Sequence, residues 1–202
     1  MEFLRIAKEY DLPVISTVQN CYNLLNRGME FGMSEVLFRE NVSLLAYSPM
    51  AFGHLTGKYI DDPEAKGRVT MFLGYAQRYK KPNVTPASKA YAELARAHGL
   101  TATEMALSFV YHRWFVTSTI IGATTMDQLK QNIHAWNTKL SQEVVQGIED
   151  LHLRMMNPAQ VRAHIGDGNY GGWYELPDEK VLDMWRVAVE ETRALIEGPW
   201  PK

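Results

Sequence analysis

Polar residues that could bind a nucleotide follow three apolar segments of the chain. Gln19 and Asn20 follow the first segment, the run YSPM from Tyr47 follows the second, and GATT from Gly122 follows the third. A carboxamide can pair with another amide, an aromatic ring can stack on a flat heterocycle, and N–H and hydroxyl groups at a helix start can bind phosphate. Each group also has an ordinary structural interpretation as a turn cap, a core tyrosine or a polar helix surface.

Two further features extend these candidates. Lys58 lies ten residues after Ser48 and could place a point charge beside a phosphate, or it could be a solvated surface lysine. Gln128 and Asn132 are four residues apart, so a helix would place them on one face. Ligands of α/β proteins bind at the carboxyl ends of parallel strands. Three polar strand ends, each followed by a helix, therefore indicate one face that binds a nucleotide.

The elements that must position these residues are three short strands and several helices. Residues 14–18, 43–47 and 118–121 are apolar and bounded by turn residues, which predicts buried strands of a parallel sheet covered on both faces. Helices are expected over residues 3–10, 34–39, 85–97, 102–112 and 126–136, and after Ser141. Thr101 with Glu104 has the spacing of a capping box. The alternation of helices and strands predicts an α/β fold.

Composition excludes several classes of protein. The 202 residues are 46% hydrophobic and 22% charged with a net charge of −2, which is typical of a globular protein rather than a disordered or nucleic-acid-binding one. No apolar run has the roughly 20 residues of a membrane span, and the charged first residues are unlike a secretory signal. Cys21 is the single cysteine, so no internal disulfide is possible, and a cytoplasmic location is expected.

A domain boundary is expected near Asn157 and Pro158. It separates a first domain, residues 1–158, from an acidic extension, residues 159–202, that contains three of the five tryptophans and an amphipathic helical pattern over 178–196. This extension could cover the sheet, or it could have no packing role.

Three stretches resemble the aldo-keto reductase family. They are VQNCYNLLNR at 18–27, LLAYSPMAFGHLTGKY at 44–59 and IIGATTMDQLKQNI at 120–133. The resemblance covers residues 1–158 and is to the branch that contains the Tas-type oxidoreductases and the β-subunits of voltage-gated potassium channels. It implies a (β/α)₈ barrel that binds NADP(H) in an extended conformation. Gln19 would bind the nicotinamide carboxamide, Tyr47 would stack on the ring, and Ser48, Met50 and Lys58 would lie along the pyrophosphate.

The resemblance also implies contacts around the adenosine. The 2′-phosphate and its ribose would be bound by Arg68, Gly122, Thr124 and Gln128, and the adenine by Gln131 and Asn132. Gln131 stands where a glutamate is common in the family, and Gln128 replaces the arginine of many members. Both departures bear on the preference between NADP and NAD.

Only part of the barrel is expected in this chain. The three strands match the sixth to eighth of the family, so the chain resembles its C-terminal half, a partial barrel with a C-terminal helical extension. The family's catalytic aspartate, tyrosine, lysine and histidine come from the first half, and none can be placed here, so we expect the chain to be inactive alone. Exposed sheet edges would favour a homo-oligomer or a complementary N-terminal half. A non-catalytic NADP-binding or scaffold protein, and a truncated gene model of a full-length reductase, are the alternatives.

Overall fold

A computed structural model describes residues 1–71 and 76–159. The part of the chain that it describes contains three β-strands and eight α-helices, joined by turns and short 3₁₀ segments. In chain order they are α1 (Glu2–Glu9), β1 (Thr17–Cys21), α2 (Met33–Arg39), β2 (Ser43–Tyr47), α3 (Lys58–Asp61), α4 (Arg68–Met71), α5 (Val84–Ala97), α6 (Ala102–Tyr111), β3 (Val116–Ile120), α7 (Met126–His134) and α8 (Gln142–Arg154). The predicted extension lies outside the described residues.

The strands form one parallel sheet in the order β1-β2-β3. Tyr47 is the register partner of both Cys21 and Ile120, so the carboxyl ends of all three strands lie at the same edge. A register irregularity falls between Leu44 and Leu45. The α/β class and the parallel sheet predicted from the sequence are confirmed.

Two strand predictions were wrong in their bounds and in their burial. The first strand begins at Thr17 rather than at residue 14, because its ladder with β2 starts opposite Ser43. Gln19 and Asn20 therefore lie within β1 and not after it. The third strand is Val116–Ile120 rather than residues 118–121. Most of β1 and β3 is exposed, since each pairs on one side only among the described residues, whereas β2 alternates between buried and half-buried positions.

The helix predictions hold to within two residues at their ends, with one exception. The segment predicted as a helix over 126–136 is α7 followed by a 3₁₀ turn from Ala135 to Asn137. The capping box is present, with Glu104 N–H donating to Thr101 Oγ1 at 3.1 Å and the Thr101 N–H donating to the Glu104 carboxylate at 2.8 Å. Ser141 Oγ caps α8 by accepting from Val144 N–H.

The main core lies between one face of the sheet and helices α5, α6 and α8. Leu44 and Ala46 supply its β2 side, and Ile148 supplies its α8 side; all three are fully buried. Met126 and Ile133, which helical spacing places on one face of α7, are both more than half exposed. Within residues 1–71 and 76–159, no helix is long and apolar enough to cross a membrane.

Candidate functional site

Alternation along the strands sets Gln19 and Tyr47 on one face of the sheet. Gln19 pairs with Leu45 and Cys21 pairs with Tyr47, whereas the intervening Ala46 points to the buried core. Gln19 is exposed and Tyr47 is half-buried. The face opposite the core therefore presents a carboxamide and an aromatic ring close to the carboxyl edge.

The segment after β2 follows an unusual backbone path. Ser48, Ala51 and Phe52 have φ values of 56°, 49° and 55°, a region that residues other than glycine seldom adopt. The Ser48 carbonyl accepts from Ala51 N–H at 2.9 Å, and the Met50 carbonyl accepts from Gly53 N–H at 2.9 Å. We call residues 48–53 the β2 turn. Its two candidate residues, Ser48 and Met50, are both half-buried.

Two basic side chains lie beside the β2 turn. Lys58 Nζ donates to the Lys66 carbonyl at 3.2 Å, and a Cβ added to Gly53 would lie 2.8 Å from Lys58 Cε, so the missing side chain at Gly53 leaves room for this lysine. The Arg68 guanidinium lies 6.0 Å from the centroid of the Phe52 ring. Two cations next to one turn suit a ligand with several phosphates, so this donor set fits a dinucleotide.

The segment after β3 is built around Gln128. Its Oε1 accepts from both the N–H and the hydroxyl of Thr124, at 2.8 and 3.0 Å, while its N–H donates to Thr125 Oγ1 at 3.2 Å. Gly122 is exposed, and a Cβ built there would meet nothing within 4 Å. Space for a ligand therefore lies open next to Gly122, at the N-terminus of α7.

The two remaining candidates on α7 differ in environment. Asn132 is 2% exposed, and its Nδ2 donates to the Gly122 carbonyl at 3.2 Å, so its buried side chain stabilises the segment after β3. Gln131 is exposed.

Three buried residues near the β2 turn escaped the sequence analysis. Asn23 donates to the Ser48 carbonyl at 2.9 Å, and Tyr79 contacts both Asn23 and the turn. His54 stacks on Tyr79, and burial, with a smaller contribution from the Lys58 charge, lowers the pKa of its imidazole to about 4. Asn23 and His54 lie in stretches that resemble the family, but no local pattern predicts the roles of the three residues, because their contacts join segments that are far apart in the chain.

Fold and site together define an α/β protein whose parallel sheet has the candidate binding residues near one edge. The sequence profile described as the Aldo/keto reductase family matches residues 2–152, and the chain belongs to this family. The family predicted from the sequence is thereby confirmed.

Three relatives illustrate the similarity. The chain is 47% identical to Protein tas of Escherichia coli over 160 residues, which is 79% of this chain and 46% of that protein. It is 28% identical to L-glyceraldehyde 3-phosphate reductase of Escherichia coli, covering 88% of this chain and 49% of the relative. It is also 28% identical to a putative voltage-gated potassium channel subunit beta of Schizosaccharomyces pombe, covering 72% and 44%. The chain thus spans about half the length of these relatives.

Proposed function

We propose that this chain is the NADP(H)-binding half of an aldo-keto reductase, an oxidoreductase that interconverts carbonyls and alcohols. Its three strands correspond to the sixth to eighth strands of a (β/α)₈ barrel. The observation that carries the proposal is the common edge of the sheet, where the Tyr47 ring, the β2 turn and the segment from Gly122 to Gln128 meet the carboxyl ends of the strands.

Each group at this edge has a role in holding the cofactor. Tyr47 stacks on the nicotinamide ring, and Gln19 on the same face binds its carboxamide. Lys58 and the β2 turn bind the pyrophosphate, and Arg68 binds the 2′-phosphate. When bound, NADPH supplies the hydride; the residues of this chain orient the nicotinamide and exclude water from one side of it.

The adenosine end is proposed to lie against the segment after β3. Gly122, Thr124 and Gln128 bind the 2′-phosphate and ribose, and Gln131 and Asn132 border the adenine. Asn132 acts indirectly, because its side-chain amide donates to the Gly122 carbonyl and so positions the segment beside the adenine. Because a neutral glutamine takes the place of an arginine at position 128, discrimination between NADP and NAD depends mainly on Arg68.

The proton donor is proposed to come from a complementary N-terminal half. Burial raises the pKa of Tyr22, Tyr79 and Tyr91, in the case of Tyr91 to about 12. A phenol whose pKa is raised is a poorer general acid near neutral pH. These three buried tyrosines therefore suit structural roles, and the proposal assigns the acid for carbonyl reduction to the complementary N-terminal half.

A second candidate function is non-catalytic binding of NADP(H) in a scaffold or sensor protein. The similarity to a putative channel subunit and the chemistry of the buried tyrosines support it. The two candidates share the cofactor site and differ in whether a complementary half restores turnover.

The test is a titration of the full chain with NADPH, followed by protein fluorescence. Saturable quenching is expected, and Tyr47→Ala is expected to weaken binding by about tenfold through loss of ring stacking. Tyr10→Ala is the matched control, because Tyr10 is 61% exposed at the end of α1. The absence of quenching at millimolar NADPH would contradict the proposal.

Activity separates the two candidates. The chain is assayed with NADPH and an aromatic aldehyde, alone and with the N-terminal half of a similar reductase. Turnover only in the mixture supports the reductase half, turnover in neither supports the non-catalytic protein, and robust turnover by the chain alone contradicts both.

A further inference from the structure

The side chain of Asn23 is completely buried and makes use of both its amide group and its carbonyl. Its Oδ1 accepts from Leu25 N–H at 2.9 Å, and its Nδ2 donates to the Ser48 carbonyl at 2.9 Å and to the Tyr79 hydroxyl at 3.3 Å. Its main chain pairs with Asn26 in both directions, at 3.1 and 2.9 Å. Asn23 thus joins the segment after β1 to the β2 turn through a fixed carboxamide.

The β2 turn needs such support. Non-glycine residues with positive φ are held only where surrounding contacts determine their conformation, and three of them occur between Ser48 and Phe52. The Ser48 carbonyl is oriented by two donors, the Ala51 N–H within the turn and the Asn23 amide outside it. Asn23 therefore fixes the first peptide plane of the turn from the protein interior.

Tyr79 forms a second link between Asn23 and the same turn. Its ring centroid lies 5.4 Å from that of Phe52 and 5.5 Å from that of His54, and its hydroxyl accepts from Asn23. Tyr79 is 1% exposed. The turn is thus held at its start by a hydrogen bond to Ser48 and at Phe52 by ring packing, and Asn23 donates to both the Ser48 carbonyl and the Tyr79 hydroxyl.

We propose that Asn23 is a positioning residue for binding the cofactor pyrophosphate, acting through the Ser48 carbonyl and Tyr79 to hold the β2 turn in its left-handed conformation. This inference rests on the proposed function. Asn23 does not touch the ligand, because its side chain has no exposed surface. Its effect is confined to ligands that contact the β2 turn.

The test compares two ligands and three variants of the full chain. NADPH spans the β2 turn and the segment after β3, whereas adenosine 2′-phosphate lacks the pyrophosphate and the nicotinamide. Asn23→Ala is expected to weaken NADPH binding by about tenfold through loss of the hydrogen bond to the Ser48 carbonyl, and to change the affinity for adenosine 2′-phosphate by less than about twofold. Asn26→Ala is the matched control in the same segment and is expected to leave both affinities unchanged.

A more conservative variant tests the same role if Asn23→Ala does not fold. Tyr79→Phe keeps the ring and removes the acceptor of one Asn23 N–H, and it is expected to weaken NADPH binding about threefold with no change for adenosine 2′-phosphate.

Equal losses for both ligands, or no loss for NADPH in a folded variant, would overturn the positioning role. If the unaltered chain binds adenosine 2′-phosphate but not NADPH, the positioning role is also wrong. If it binds neither ligand, the proposed function fails first and this inference falls with it.

Discussion

Arg27 anchors the segment after β1 to α8 through a buried ionic cluster. Its side chain is 4% exposed, and its guanidinium pairs with Glu30 at 2.7 Å and with Glu149 of α8 at 2.9 Å. Arg113 also contacts Glu149, at 3.2 Å, and both guanidinium groups lie over the ring of Phe109, at 5.2 and 4.0 Å. Replacing Arg27 leaves two carboxylates near the core without their main partner.

We expect Arg27→Leu to lower the free energy of unfolding by about 3 kcal/mol, the low end for breaking a buried pair, because the side chains of Glu30 and Glu149 keep 23% and 36% exposure. Arg39→Leu is the control, since Arg39 forms an exposed pair with Glu35 one helical turn away, and it should cost about 0.5 kcal/mol or less. Urea unfolding at pH 7, followed by circular dichroism, measures both values.

The same cluster predicts a pH dependence. Burial disfavours the charge on Glu30, but hydrogen bonds from Arg27 and Tyr22 outweigh it and hold the pKa of this carboxyl below its ordinary value of 4.5. A lowered folded-state pKa adds stability above pH 4.5 that is lost as the pH falls through the folded value. The difference in free energy of unfolding between the unaltered chain and Arg27→Leu should therefore become smaller below about pH 4.5. A loss for Arg27→Leu no larger than that for Arg39→Leu would refute this account of the cluster.

Two further predictions concern the surroundings of the β2 turn. Burial holds His54 neutral with a pKa of about 4, against an ordinary 6.5, so its contribution to the free energy of unfolding is complete above pH 6.5 and is lost as the pH falls toward 4. Nuclear magnetic resonance titration of the ring protons measures this pKa, and a midpoint near 6.5 would contradict the prediction. In Gly67→Ala the added Cβ would meet the ends of the Tyr59 and Lys58 side chains, which can move aside, so this variant should change stability by less than about 1 kcal/mol but weaken NADPH binding by displacing the Lys58 ammonium. An unchanged affinity for NADPH would contradict the role of Lys58.

Local signals in the sequence predicted the elements better than their exact pairing. The capping box at Thr101 and Glu104 depends only on neighbouring residues, and the structure contains it as expected. The start of β1 depends instead on where Ser43 begins its ladder, which the apolar run before residue 17 does not reveal. Likewise, helical spacing shows that Met126 and Ile133 share a face of α7, but not whether the chain covers that face.

The candidate site was predictable only where residues follow a strand or match the family. Tyr47 ends β2, matches the family and lies at the edge of the sheet. Asn23 also lies in a stretch that resembles the family, but no local pattern predicts its role, because its contacts are made to residues 25 and 56 positions away along the chain. Buried polar residues of this kind become visible only when the hydrogen bonds of the folded chain are known.

The central claim is that the carboxyl edge of the sheet binds a pyridine dinucleotide. Backbone amide chemical shifts of the full chain, recorded during titration with NADPH, test it most directly because they report where the ligand contacts the protein. We predict that the largest shifts fall together on Gln19, the β2 turn and the segment from Gly122 to Gln128. The claim would be contradicted if no shifts occurred at millimolar NADPH. It would also be contradicted if the largest shifts fell in the cavity between α6, β3 and α7, which is lined by Tyr111, Ile133 and Trp136.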